Sequence, residues 1–433
     1  MSTGAVEPAS PAAPVFGRRQ ASRRIGLDEL AEARGSGRLG DLRARFADAF
    51  SIIRHDAADA DRTGGRQTAG ITALIASGFT RLRVAEADGG IDIPLVDLFA
   101  LLADLGAADP GVANALRGHL SFIEVLRHQP DVSPEARAHW TAEIVSGRVF
   151  GNAQTSAPGA PVTTARRTAS GEWVVSGRKY YSSGSLYADY IRASAEDEDG
   201  RPVWAIVPTD QPGVERADDW RGFGQRTSAS GSTLLSEARV HPLGIIPIDQ
   251  EVAQHQSFVQ LYHLATLSGI TREVLDEAIA LNVSRPPRKE AFGDHALDVV
   301  GSLSVSYVTA QSLVRTAADV LEHANALFLR DGDREPYERL SVYTLANQVA
   351  VIETALEATT RLFDAAGASL TDAGKALDRH WRNARTIASH NPVAVKPRLL
   401  GDYLVNGRFY GSPFSPFDAD GAPSEVPPFR PGE

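Results

Sequence analysis

The sequence predicts an α+β protein that is mostly α, with a helical N-terminal region, a central antiparallel β region and a C-terminal helical bundle. Two changes in the spacing of apolar residues lead to this fold class. Before residue 149 and after residue 248, apolar residues recur every three or four positions, which is the period of an amphipathic helix. Between 149 and 247 they alternate with polar residues, which is typical of strands. One β region therefore lies between two helical regions.

The composition is that of a globular protein without a nucleic-acid partner. The 433 residues are 43% hydrophobic, which is enough for two or three packed layers. With 44 basic and 54 acidic residues the net charge is -10, which disfavours a phosphate-binding surface and excludes DNA and RNA as partners. We find neither a continuous apolar run of about 18 residues nor a signal-peptide core, so we expect no membrane association. The absence of cysteine rules out disulfides and thiol catalysis and fits a cytoplasmic protein.

The helical pattern of the N-terminal region begins after a polar tail. Residues 1–24 are rich in Ala, Pro, Ser and Arg, which predicts a disordered tail. A helical domain is predicted over 25–148, where Leu42, Phe46 and Phe50 recur at a spacing of four. Asp109 is a good cap for a helix that begins at Pro110, because proline suits the first helical turn.

The remaining chain divides into a β domain over 149–247, a bundle over 248–406 and an extended tail over 407–433. In the β domain, turn-forming pairs such as Ser170-Gly171 separate the alternating stretches. Four helical patterns of the bundle begin near Phe258, Val300, Leu345 and Arg379. The apolar faces of these helices are wider than packing within one chain requires, so we expect a homo-oligomer.

No sequence motif supplies a reactive group of its own. The chain has no HExxH metal motif, no cysteine cluster, no GxSxG nucleophile elbow and no Walker A loop. We expect no metal site. Difficult chemistry would therefore come from an organic cofactor.

Five short blocks carry a family resemblance. They are GHLSF at 118–122, FGNAQTS at 150–156, GRKYYSSGS at 177–185, DDWRGFGQRTSASGST at 218–233 and RHWRNARTIASHNP at 379–392. In order and spacing they resemble the acyl-CoA dehydrogenase superfamily, and within it the flavin-dependent monooxygenases typified by those of dibenzothiophene and sulfur acquisition. The resemblance covers nearly all of the chain except the tails. It implies an N-terminal helical domain, a central antiparallel β-barrel and a C-terminal four-helix bundle, assembled as a tetramer.

The same resemblance implies a flavin site between the β domain and the bundle. Asn152 and Thr155 lie in a block that is similar to the strand end whose polar groups bond the edge of the isoalloxazine ring. Ser183 matches the hydroxyl residue beside the reactive nitrogen of that ring. Arg285 resembles the arginine that binds the flavin phosphate, a role that suits the paired donors of a guanidinium.

Three further candidates for cofactor binding lie near the C-terminus. Gly367 and Ser369 belong to a loop that is similar to one reaching the flavin of an adjacent subunit. The related monooxygenases usually carry an arginine where Ser369 stands, so this chain departs from their pattern. Arg382, in the last of the five blocks, is the third candidate.

Catalytic roles are expected for His390 and His119, with Ser183 and Asn152 beside the flavin. His390 occupies the loop in which the dehydrogenases keep a glutamate base. Between residues 379 and 410 the only acidic residue is Asp402, and none lies between 252 and 272, which disfavours dehydrogenation. A histidine with an ordinary pKa near 6.5 can instead exchange the proton of a flavin C4a-peroxide at neutral pH. His119 shares an apolar helical face with its neighbours, so a purely structural role stays open.

The resemblance implies a two-component monooxygenase that acts on a small organic substrate, most simply an organosulfur compound. The expected cofactor is reduced FMN, with FAD as the alternative, and O2 is the co-substrate. A separate NAD(P)H-dependent flavin reductase would supply the reduced flavin, because no nicotinamide-binding fold is predicted. The GSGRLG stretch at 35–40 fits the GxGxxG pattern, but it follows a helix-like segment and lacks a βαβ context. The alternatives are an N- or C-hydroxylase of an amine, an amino sugar or an aromatic intermediate, then an acyl-CoA dehydrogenase, and a non-catalytic homologue.

Overall fold

The computed structural model describes residues 37–156, 159–248, 253–284, 290–333, 335–409 and 424–425. The tail predicted over 1–24 lies outside this range, as does most of the tail predicted over 407–433. The described residues form ten α-helices: α1 (Arg38–Thr63), α2 (Thr68–Ser77), α3 (Leu95–Ala108), α4 (Pro110–His128), α5 (Pro134–Val145), α6 (Ala253–Val283), α7 (Glu290–Asp331), α8 (Glu335–Arg361), α9 (Asp378–Ala388) and α10 (Lys396–Asn406).

Nine strands form the central sheet, and two more pair near the C-terminus. The strands are β1 (Phe150–Ala153), β2 (Thr155–Ser156), β3 (Thr164–Arg167), β4 (Trp173–Tyr180), β5 (Tyr190–Glu196), β6 (Pro202–Pro208), β7 (Val214–Arg216), β8 (Thr233–Arg239), β9 (Ile245–Pro247), β10 (Arg408–Phe409) and β11 (Ser424–Glu425). The helix–sheet–helix order predicted from the sequence is therefore confirmed.

The central sheet is open and mixed, so the prediction of an antiparallel barrel is wrong in two respects. Its main path runs β7-β8-β4-β3-β5-β6-β9, with β1 paired to β5 and β2 to β4. The short strands β7 and β9 end the path without pairing to each other, so the sheet does not close. β1 runs parallel to β5, and Thr164 of β3 pairs in parallel with Glu196. Alternation along a strand sets which face is buried, but it determines neither strand direction nor closure.

Helix α6 is the centre of the helical part of the protein. It packs against α3 and α4 from the N-terminal region and against α7, α8 and α9 from the bundle. Leu261, Leu264 and Leu267 of α6 are almost completely buried in an apolar cluster that runs through both helical regions. The inner side chains of the sheet form a second, smaller cluster. The two helical regions therefore share one core, and α6 joins them.

The C-terminal helices differ from the predicted bundle in one element. α9 ends at Ala388, before Pro392, as the proline predicts. A short turn at Val393–Val395 is followed by a further helix, α10, which packs on α8. The sequence prediction had only a loop there, because the eleven residues of α10 carry a weak apolar pattern.

Helix α7 has the length and composition of a membrane-crossing helix over Asp294–Asp331. That test also selects long bundle helices, and α7 packs along α3, α6 and α8. Several of its large apolar side chains stay exposed in one chain, among them Leu297 at 68% and Val305 at 66%.

The close crossing of α3 and α6 depends on two glycines. A Cβ atom at Gly106 would lie 2.8 Å from the carbonyl oxygen of Thr266, and one at Gly269 would clash with the carbonyl oxygen of Ala103. Backbone atoms cannot move aside as a flexible side chain can. Small residues at both positions therefore set how closely the two helical regions approach.

We predict that Gly269→Ala lowers the free energy of unfolding by about 1 to 3 kcal/mol, because the added methyl forces α3 and α6 apart. The matched control is Gly301→Ala on α7, where no atom lies within 4 Å of the new methyl. That change should raise stability by about 0.5 to 1 kcal/mol through helix propensity. Urea unfolding of both variants checks this, and equal effects at the two positions would contradict the proposed crossing.

Candidate active site

The candidate site is built on helix α4, and the buried carboxylate of Asp109 fixes the position of that helix. Asp109 caps α4 by accepting hydrogen bonds from the amides of Gly111 (2.7 Å) and Val112 (3.3 Å), as the sequence predicted. It also accepts bonds from Thr227 (2.7 Å) and Gln67 (3.1 Å). Burial raises the pKa of Asp109, although these four bonds oppose the shift. One carboxylate thus ties α4 to the loop before β8 and to the start of α2.

Two turns further along, α4 packs directly on the ends of β1 and β4. A Cβ atom at Gly118 would lie 2.9 Å from the Cβ of Asn152, and one at Gly184 would clash with the carbonyl oxygen of Ala115. Asn152 and Ser183 are joined by a backbone hydrogen bond of 3.1 Å from the amide of Asn152. The structure therefore brings together two of the predicted flavin-binding residues on the surface of α4.

A chain of serine hydroxyls extends from Ser183. Its hydroxyl lies 2.8 Å from that of Ser230, which lies 2.8 Å from that of Ser228. The Ser228 hydroxyl donates to the carbonyl of Gln225 (2.6 Å). Three residues of these loops have left-handed backbones: Tyr181 (φ 55°), Gln225 (φ 56°) and Ala229 (φ 48°). Non-glycine residues adopt this conformation at a cost, and such strain collects at functional sites.

Several polar groups at this junction have no partner among the described residues. The buried hydroxyl of Ser182 and the buried carbonyl oxygen of the Gln225 side chain make no hydrogen bond there. Asn152, which packs on Gly118 at the same junction, is 7% exposed. Buried polar groups are normally satisfied, so this excess of donors and acceptors is typical of a ligand site.

A second cluster of polar side chains is formed by two histidines, His263 on α6 and His390 in the loop after α9. Their ring centroids are 4.4 Å apart with the planes tilted by 47°. Both rings line a cavity of about 10 Å³, which has room for about one water. The Nε2 atom of His263 is buried and has no hydrogen-bond partner among the described residues. None of the side chains that line this cavity is a carboxylate.

Both histidines are held in the neutral form. The protein atoms packed around the ring, together with the positive charge of Arg117, lower the pKa of His390 to about 3, although the residue as a whole is exposed. Burial also lowers the pKa of His263 well below its ordinary value. The sequence-based expectation used a pKa near 6.5 for His390, and the structure corrects it. At neutral pH these rings can donate and accept hydrogen bonds, but they carry no charge.

An amide network holds the His390 loop against the bundle. The Asn391 amide donates to the side-chain oxygen of Gln260 on α6 (2.8 Å), which also accepts a bond from Gln348 on α8. Lys396 at the start of α10 donates to the other end of Gln348 (2.6 Å). This chain links α6, α8 and α10 and restricts the position of His390.

His119 lies in the core with both ring nitrogens occupied. Its Nε2 lies 2.7 Å from the carbonyl oxygen of Thr80, and its Nδ1 accepts from the amide of Phe150 at 3.3 Å. Burial lowers its pKa to about 4. Because neither nitrogen is free for a substrate, the geometry favours the structural alternative, in which His119 joins α4 to β1.

Arg382, a predicted cofactor ligand, is held by partners within the chain. Its guanidinium pairs with Asp61 of α1 (2.5 Å) and Asp378 (2.8 Å), and it donates to the carbonyl oxygen of Phe223 (2.8 Å). All three guanidinium nitrogens are thereby engaged. In this arrangement Arg382 is a bridge between α1, α9 and the loop before β8, and its role in cofactor binding stays a prediction.

The other predicted cofactor residues lie apart from the junction or outside the described residues. Thr155 is exposed and pairs through its backbone with Tyr180. Gly367 and Ser369 form an exposed turn, in which the Ser369 carbonyl accepts a bond from Lys375 at 2.7 Å. Their contribution to a site on another subunit stays a prediction. Arg285 lies outside the described residues.

Sequence reasoning missed His263, Gln260 and Arg117. A signal was present, because Gln260 and His263 stand one helical turn apart in a segment whose other members are mostly apolar. Polar residues on a core helix need neighbours that suit them. Only the fold shows that the ring of His263 contacts the ring of His390.

Comparison with known families identifies the fold. Residues 152–237 match the acyl-CoA dehydrogenase middle domain, and residues 262–394 match the acyl-CoA dehydrogenase C-terminal domain. The two matched segments cover the central sheet and most of the bundle described above. The chain therefore belongs to the acyl-CoA dehydrogenase superfamily.

Within this superfamily the similar proteins include flavin-dependent monooxygenases. A probable FMNH2-dependent monooxygenase of Pseudomonas putida is 28% identical over 375 residues, covering 81% of this chain and 91% of the relative. The dibenzothiophene monooxygenase of Rhodococcus qingshengii is 26% identical over 387 residues, covering 82% and 91%. The FMN-bound crystal structure of the dibenzothiophene monooxygenase of a Paenibacillus species superimposes with a TM-score of 0.79 at 25% identity, covering 87% of this chain and all of that one.

The residues at the junction fit the polar rim of a flavin ring. Such a ring presents carbonyl oxygens and nitrogens along one edge, and Ser182 and Gln225 offer a hydroxyl and a side-chain oxygen without partners among the described residues. Asn152 adds an amide side chain, and Ser183 adds a hydroxyl that already belongs to an ordered chain.

We predict that His119→Asn lowers the free energy of unfolding at pH 7 by about 1 to 3 kcal/mol, because it breaks a buried link and leaves the Thr80 carbonyl unpaired. The folded pKa of about 4 lies below the unfolded value of 6.5. Folded protein therefore binds fewer protons between these values, so the contribution of His119 is complete above pH 6.5 and declines as the pH falls towards 4.

The variant should accordingly show a shallower loss of stability between pH 7 and 5, by up to about 1.4 kcal/mol per pH unit. Urea unfolding at several pH values measures both effects. A stable variant with an unchanged pH slope and lost activity would instead support a catalytic His119.

Proposed function

We propose that this protein is a two-component flavin-dependent monooxygenase, which uses reduced FMN from a separate reductase and O2 to oxygenate a small organosulfur compound. The observation that carries the proposal is the neutral pair His263 and His390, which stands without any carboxylate beside the candidate flavin site. The names of the similar monooxygenases support the cofactor and the substrate class.

The missing carboxylate disfavours dehydrogenation. Removing a proton next to a thioester carbonyl requires a base that gains the proton, and a carboxylate commonly performs this task. A histidine whose pKa is about 3 is a poor base for a carbon acid. A neutral imidazole is well suited to a different task, which is to donate or accept a hydrogen bond at an oxygen atom.

Different residues would bind the flavin and contact the reacting oxygen. Reduced FMN, when bound, supplies the two electrons needed to activate O2. Asn152 and Ser183 would hold and orient the polar edge of the ring. His390, held in place by the Asn391–Gln260 bond, would form a hydrogen bond with the reacting oxygen. Leu264 and Ile352 add apolar surface to the lining of the small cavity, which limits the water near that oxygen.

The same proposal implies a partner enzyme and a cellular location. Since no nicotinamide-binding fold is predicted, an NAD(P)H-dependent flavin reductase would supply the reduced flavin. A sequence without cysteine fits a reducing compartment, so we propose a cytoplasmic location.

We predict that His390→Ala lowers the rate of product formation by about a hundredfold to a thousandfold, the range for loss of a hydrogen-bond donor to a reacting oxygen. Flavin binding and the thermal midpoint should change little. The matched control is His323→Ala on α7, an exposed histidine that should leave turnover unchanged.

The assay supplies photoreduced FMN and 18O2 with a set of organosulfur compounds and measures labelled product per flavin consumed. If wild-type protein incorporates no label into any of them, the proposed function is wrong. Equal turnover in the wild type and His390→Ala would remove His390 from the mechanism.

We also propose that the protein is a homotetramer, in which the exposed apolar side chains of α7 are covered by other copies. Multi-angle light scattering at micromolar concentration should give about four times the chain mass. Replacing Leu297 and Val305 by Asp should lower that mass, while Leu404→Asp on α10 serves as an exposed control. A monomeric wild type would contradict the proposal.

A further inference from the structure

Helix α4 carries a buried arginine without an anionic partner. Arg117 is 8% exposed, and its one hydrogen bond runs from Nε to the side-chain oxygen of Asn114 on the same helix (3.3 Å). No carboxylate among the described residues pairs with it. Arg83 shows the usual arrangement, because its guanidinium, 2% exposed, pairs with the buried carboxylate of Glu124 at 2.7 Å.

Arg117 belongs to the candidate site by its position. One turn before it, the Ala113 carbonyl accepts a bond from the hydroxyl of Tyr262 on α6 (2.6 Å), and one residue after it Gly118 packs on Asn152. Its charge also contributes, after burial, to the low pKa of both His263 and His390. The guanidinium therefore lies among α4, α6 and the His390 loop.

The surroundings of Arg117 carry positive charge, and no carboxylate of the described residues is paired with it. A buried cation without a counter-ion is strongly unfavourable, and buried charges are normally paired. Its neighbours are neutral histidines and a tyrosine whose pKa is raised by burial. The Nε2 atoms of His263 and of the Gln260 side chain are also buried without partners among the described residues. An anion that enters here would meet one guanidinium and further donors.

We propose that Arg117 is a specificity-determining residue that binds the acidic group of the substrate, so the natural substrate is a small organosulfur anion that carries a sulfinate, sulfonate or carboxylate. A guanidinium binds two oxygens of such a group at once, which a neutral sulfide, sulfoxide or thiophene cannot match. The inference rests on the proposed function, since it names the substrate class of the same site.

The test compares anionic and neutral ligands of nearly equal shape. The probes are methanesulfinate against dimethyl sulfone, and benzenesulfinate against methyl phenyl sulfone. Isothermal titration uses the full chain with and without oxidised FMN, so that no turnover occurs. The variants are Arg117→Gln and Arg117→Lys, and the control is Arg239→Gln, which changes an exposed arginine at the end of β8.

Wild type and the Arg239→Gln control should bind at least one sulfinate about tenfold to a hundredfold more tightly than its sulfone. Arg117→Gln should lose this preference, and Arg117→Lys should keep part of it, because it keeps the charge but loses the paired donors. The affinity of each variant for FMN should stay within about threefold of wild type.

Two results would overturn the inference. One is a wild-type protein that prefers neither sulfinate or whose preference survives in Arg117→Gln. The other is an Arg117→Gln variant that loses FMN affinity and keeps the sulfinate preference, which would assign the guanidinium to the cofactor. Both readouts are binding measurements, so they stand whether or not labelled oxygen is incorporated in the activity assay.

Discussion

The carboxylate of Asp109 is the interaction on which the arrangement of the site depends. Its four hydrogen bonds hold the start of α4 against the loop before β8 and against α2, at a depth where water cannot replace them. Once the start of a helix is fixed, every later side chain has a defined direction. Ala115 and Gly118 then meet the strand ends, and Arg117 and His119 follow in the same register. A buried carboxylate far from the reacting atoms thus positions the residues of the site.

Protonation states decide the chemistry this site can perform. A dehydrogenase of the same superfamily needs a charged base, whereas this cavity is lined by neutral imidazoles, amides and apolar side chains. Burial keeps His263 and His390 uncharged, and the nearby Arg117 adds to that effect. The cations Arg117 and Lys396 lie near this cavity and no carboxylate lines it, which suits an oxygen-bearing anion and hydrogen bonds to oxygen. The same fold therefore supports a different reaction through the identity of a few residues.

The sequence predicted the parts of this protein that depend on local patterns. The fold class, the cap at Asp109 and the end of α9 before Pro392 are confirmed, because spacing and backbone preference determine them. Closure of the sheet was predicted wrongly, since strand alternation contains no information about which strands meet. The family blocks also located Asn152 and Ser183, which the structure brings into contact, although their role in binding flavin stays a prediction.

Residues whose role depends on distant partners could not be assigned from sequence. The sequence offered Arg382 as a cofactor ligand without showing Asp61 beside it, and it left the role of His119 open, which the bonds to Thr80 and Phe150 now favour as structural. The most direct measurement of the proposed site is a crystal structure of the protein with FMN. We predict that the polar edge of the ring contacts Asn152 and Ser183, with His390 facing the ring from the bundle side. A flavin bound elsewhere, with Asn152 and Ser183 still unliganded, would contradict the site described here.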